Sequence, residues 1–147
     1  MSQESTIPVA KYTDPQLGDM NYQKDEDCWV GNFNHYKYLI AREDTATPST
    51  DLLANCINTL SQTQELVSTL QDQKEIAKRK ASPNILAELY PEFDGLFYTS
   101  LLFYRRGHQL RILALLASEA DEPQDEDARM WQIEFWGDSC KGLSFYL

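Results

Sequence analysis

The sequence predicts an α+β domain: a mainly antiparallel sheet of about five to seven strands, with one long and one short helix inserted between an N-terminal hairpin and C-terminal strands. Three observations lead there. Short aromatic and β-branched runs bounded by Asp, Asn, Gly and Pro fill residues 19–41 and 96–147. Between them, residues 50–89 carry apolar side chains at helical spacing. The order strands, helices, strands needs a single crossover, with hairpin-length links on either side.

Residues 1–13 mix Ser, Gln, Glu, Thr and Pro without periodicity, which suits a flexible N-terminal arm or an edge segment ahead of one domain spanning 14–147. Asp14-Pro15-Gln16-Leu17-Gly18 is a turn cluster, and Met20 and Tyr22 then alternate with polar neighbours as in a half-buried strand. The acidic tip Lys24-Asp25-Glu26-Asp27 reverses the chain into Cys28–Phe33 and then Tyr36–Ala41, giving a hairpin or three-strand meander.

Thr47-Pro48-Ser49-Thr50-Asp51 supplies side-chain acceptors for the open amides of a first helical turn. Leu53, Cys56, Ile57, Leu60, Val67, Leu70 and Ala77 then recur at helical steps, which predicts one long helix. Lys78, Arg79 and Lys80 close it, as cations complement a helix C-terminus. Ser82-Pro83-Asn84 starts a short second helix over Ile85–Leu89 that Tyr90-Pro91 ends.

Leu96–Tyr104 and Gln109–Leu116 read as strands around Arg105-Arg106-Gly107-His108, although Leu and Ala leave a helix open over 109–117. Residues 119–127 hold six acids and one Pro, which predicts a solvated loop. Met130–Trp136, Gly137–Gly142 and Leu143–Leu147 complete a last hairpin.

Composition narrows function. With 147 residues, 42% of them hydrophobic and 12% aromatic, the chain is long and apolar enough to bury one core. Its formal charge of −10 repels nucleic acid and anionic membrane while it attracts a basic partner. No signal-like or membrane-spanning run is visible, so the expected address is cytoplasmic. Cys28, Cys56 and Cys140 fit neither a disulfide framework nor a CxxC zinc site, and are expected as reduced, mostly packed thiols.

Chemistry-bearing patterns are sparse. His35 and His108 stand near no serine elbow, paired histidine or HExxH spacing, so neither a catalytic triad nor a metal site is expected. The acidic runs lack the order of a calcium loop, and no phosphate-cradling glycine motif occurs. The expectation is therefore no enzyme and no cofactor.

Asp14-Pro15-Gln16-Leu17-Gly18, the acid-rich tip, Trp29-Val30-Gly31, a long helix and a terminal hairpin resemble a group of small uncharacterised bacterial domains, some similar to immunity proteins of toxin systems. The resemblance implies a protein that shields its own cell by binding a toxin, and no site residue carries over from it. The charge agrees, since an acidic surface steers a basic toxin or effector. Contact candidates are Asp25, Glu26, Asp27, Asp121, Glu122, Asp125, Glu126 and Asp127, with Trp29 and Trp136 as aromatic anchors. The alternative is a structural or regulatory module of a larger assembly, joined through a helix face or a sheet edge.

Overall fold

The computed structural model describes residues 7–80, 88, 90, 92–118, 130–137 and 139–146. Eight strands among them form one sheet in sequence order: β1 (Lys11–Asp14), β2 (Gly18–Gln23), β3 (Cys28–Phe33), β4 (Tyr36–Ala41), β5 (Leu96–Arg106), β6 (Gln109–Ser118), β7 (Met130–Trp136) and β8 (Ser139–Tyr146). Every neighbouring pair is antiparallel except β4 and β5, which run parallel. A parallel step needs a crossover, and among the described residues it holds α1 (Thr50–Leu60), α2 (Thr63–Lys80) and a 3-10 turn, Phe93–Gly95. The α+β class stands, with one strand more than the upper end of the sequence reading. The additional pairing is β1 at the sheet edge, so residues 11–13 take the edge-segment reading and not that of a flexible arm. Val9 is also fixed: its amide donates to the Ala46 carbonyl at 2.8 Å, and its carbonyl accepts from the Trp29 indole at 3.0 Å.

Turn chemistry explains the first hairpin. The Asp14 carboxylate accepts the amides of Gln16 and Leu17 at 2.8 and 2.9 Å, and Gly18 takes the left-handed φ of 81° that follows. The β3–β4 hairpin turns through Asn34 and His35, both at positive φ, as a primed two-residue turn requires. Residues 109–117, open between helix and strand, are strand, paired on both sides by β5 and β7.

The single long helix is corrected to two. Ser49 caps α1 by accepting the Leu52 amide, but α1 stops at Ser61, whose hydroxyl bonds back to the Ile57 carbonyl at 2.6 Å. Such back-bonding competes with the helical ladder, and Ser61-Gln62-Thr63 offers no apolar residue to hold a continuous helix down. After the break the buried stripe is Leu66, Leu70 and Lys74, so Val67 turns outward with 46% of its surface exposed. Of the expected short helix over 85–89 only Glu88 is described, and it is helical.

Both helices pack on one face of the sheet. Leu52, Cys56, Leu60, Leu66 and Leu70 meet Met20, Trp29, Tyr38, Ile40, Leu101, Phe103, Ala114, Trp131 and Ile133 in one core. Lys74 enters that core as a stem, and its amine donates to the carbonyls of Asp94 and Leu96 at 3.1 and 3.2 Å. Burial pulls its pKa down, with Asp94 opposing. Lys78, one turn on, pairs with the Asp94 carboxylate at 3.1 Å, so the cationic end of α2 holds the 3-10 turn against the sheet.

Candidate functional site

The strand directions sort the loops to two ends of the sheet. Cys28 pairs with Ala41, and Arg106 with Gln109, so the β2–β3 tip and the β5–β6 turn lie at one end. Phe33 pairs with Tyr36, and Leu96 with Ser118, so the β3–β4 turn and the origin of residues 119–129 lie at the other.

At the first end, Asp25, Glu26 and Asp27 are exposed. Asp27 sits at a φ of 50°, accepts the Tyr22 hydroxyl, and lies 3.8 Å from Arg42. That clamp commits Asp27 to fixing the turn and leaves Asp25 and Glu26 exposed. Behind the tip the Cys28 thiol meets the Glu26 carboxylate at 3.6 Å. Burial first, and the neighbouring carboxylate second, push this thiol up to about 11. Cys56 is displaced upward by burial as well, the opposite of what a thiolate nucleophile needs.

Trp29 cannot serve as a contact in this fold: its ring is wholly buried, stacked edge-on against Tyr22 at 5.4 Å. An indole on the inward side of β3 fills the core before it can reach a partner. Trp136 is half-buried on the opposite face, with the Arg111 guanidinium 4.0 Å and the Lys141 amine 4.8 Å from its ring centroid. Its indole N–H donates to Glu134 at 3.2 Å. Cations of the chain itself already occupy this ring, which suits an anionic neighbour better than a basic one.

Asp121, Glu122, Asp125, Glu126 and Asp127 fall outside the described residues. Their flanking strand ends, Ser118 and Met130, are at the sheet end away from Asp25–Asp27. The two acidic groups named from the sequence therefore start from opposite ends of the sheet.

Two grooves flank the helices. One, about 470 Å³, runs between the β3–β4 turn, α2 and the start of β5, with His35, Tyr36, Val67, Gln71 and Phe97 in its walls. Val67 and Phe97 are among the exposed large apolar residues there, at 46% and 43%. The other, about 240 Å³, lies at the α1–α2 break and is lined mainly by polar side chains such as Asn55, Asn58, Gln62 and Thr69. Sequence reasoning missed both, because each depends on where the helix breaks. Among the described residues no group of three or more His, Cys, Asp or Glu is placed to hold a metal ion. No helix among them is long and apolar enough to cross a membrane.

Compared with known protein families, characterised proteins and solved structures, the chain matches none.

Proposed function

We propose that this chain is a cytoplasmic protein-binding domain of immunity or inhibitor type, which neutralises a basic toxin or effector by direct contact through the β2–β3 tip. The observation that carries the reading is the tip itself. Asp25 and Glu26 are exposed on a hairpin whose base is held by buried Trp29 and whose turn is clamped by Tyr22, Asp27 and Arg42.

A pre-ordered loop loses little freedom on binding, so its charges act at small entropic cost. A net charge of −10 draws a cationic surface toward that tip and raises the encounter rate. Asp25 and Glu26 are the contact residues in this reading, and Asp27 positions them.

The test is capture of proteins from the native cell at low and at high salt. The wild-type chain is compared with Asp25→Asn/Glu26→Gln, which leaves the Asp27 clamp intact. One basic protein held by the wild type at low salt, released at high salt and lost from the variant supports the reading. Its retention by the variant overturns it.

A further inference from the structure

Strand alternation sends Val30, Leu39, Leu102 and Leu113 to the sheet face turned away from α1 and α2, and the register sets them side by side. Val30 is opposite Leu39, Leu39 opposite Leu102, and Leu102 opposite Leu113. Across four strands such a row is about 14 Å long. All four side chains are half-buried, while the core residues that meet the helices come from the other face. α1 and α2 lie on the other face.

By the same alternation Lys37 lies toward one end of the row and Arg106 and Arg111 toward the other, while Lys11 on the edge strand β1 is paired with Asp19. Lys141, at the register shift between β7 and β8, reaches the face by lying over the Trp136 ring. Lys37, Arg106, Arg111 and Lys141 form no ion pair with a carboxylate among the described residues. Glu134, their acidic neighbour on β7, is held by the Trp136 indole. In a chain with 23 acidic and 13 basic residues, a face on which these four cations meet no carboxylate partner among the described residues opposes the overall charge. A local field of reversed sign selects a partner of reversed charge.

We infer that this face docks an acidic amphipathic segment of a protein partner, independently of the acidic tip. Aliphatic side chains of the segment cover Val30, Leu39, Leu102 and Leu113, and its carboxylates meet Lys37 at one end and Arg106, Arg111 and Lys141 at the other. The aliphatic row favours protein over nucleic acid, since a phosphate backbone brings nothing apolar to cover it.

The test titrates the full chain with a dye-labelled helical peptide of about 15 residues, built of Leu on one face and Glu on the other. A scrambled isomer of the same composition is the comparison. Saturable binding is expected for the patterned peptide, weakened about tenfold by Arg111→Glu/Lys141→Glu and about threefold by Lys37→Glu. Arg79→Glu, exposed on the helix side, leaves it unchanged. Lys37 is exposed, so Lys37→Glu keeps the test valid if the double variant fails to fold. Absence of saturable binding, equal binding of the scrambled isomer, or indifference to both substitutions overturns the inference. So does binding of single-stranded DNA, or self-association, that is abolished by the same substitutions, because each assigns the face to another occupant.

Discussion

Tyr38 stands over Gly31 so closely that a β-carbon on the glycine would overlap the phenol ring. The two residues are cross-strand partners on β3 and β4, Tyr38 is fully buried, and its hydroxyl donates to the Leu17 carbonyl at 3.4 Å. The ring cannot retreat without breaking that bond and the packing around it. Gly31→Ala is therefore expected to cost about 2–3 kcal/mol through overpacking. Urea unfolding measures it as a lowered midpoint at unchanged slope. An unchanged midpoint would show that the phenol moves aside freely.

A second prediction concerns Trp131, whose buried indole N–H donates to the buried Glu92 carboxylate at 3.1 Å. Tyr90, Phe93 and Phe145 pack around the same indole, with ring centroids 5.7, 5.6 and 4.9 Å away. Glu92→Ala leaves the N–H without this acceptor in an apolar setting, at a cost of about 1–3 kcal/mol. Glu92→Gln keeps an acceptor and is expected to lose about half as much or less. Equal losses for the two variants, read from thermal unfolding, would deny the hydrogen bond its role.

Alkaline pH tests the buried thiols. The folded Cys28 thiol is raised from 9.0 to about 11, so the folded state keeps a proton that the unfolded state gives up. Its contribution to stability is full below about pH 9 and drains away as pH climbs toward 11. Lys74, lowered by burial, acts with the opposite sign, because its folded form releases a proton first. Comparing wild type with Cys28→Ala between about pH 8 and about pH 10.5 cancels Lys74 and isolates the thiol. The wild type is expected to lose more stability over that interval. Parallel losses would place Cys28 in water.

Local chemistry made much of this fold legible. Asp14 and Gly18 specify their turn whatever surrounds them, and Ser49 caps α1 for the same reason. The β-branched and aromatic content of 28–41 and 96–104 marked strands that the structure contains. The helix break was harder to see. Leu60 and Val67 keep a seven-residue spacing across it, so the apolar period continues while Ser61 turns its hydroxyl into the ladder. Residues 109–117 resisted assignment because Leu and Ala suit both periods, and pairing with β5 and β7 decides between them.

The candidate site was less legible, for a physical reason. Charge at Asp25 and Glu26 is a property of the chain and shows in sequence, but burial of Trp29 and the cations around Trp136 are properties of register. Arg111 meets Trp136 only because β6 pairs with β7 at that position, across 25 residues of chain. Likewise Val30, Leu39, Leu102 and Leu113 are scattered along the sequence and become a row through four strands in register.

The most direct measurement is salt-dependent capture from the native cell with the wild-type chain and Asp25→Asn/Glu26→Gln side by side. The account predicts one basic protein bound to the wild type at low salt, absent at high salt and absent from the variant. A protein that both chains hold equally, or none held by either, would contradict binding through the β2–β3 tip.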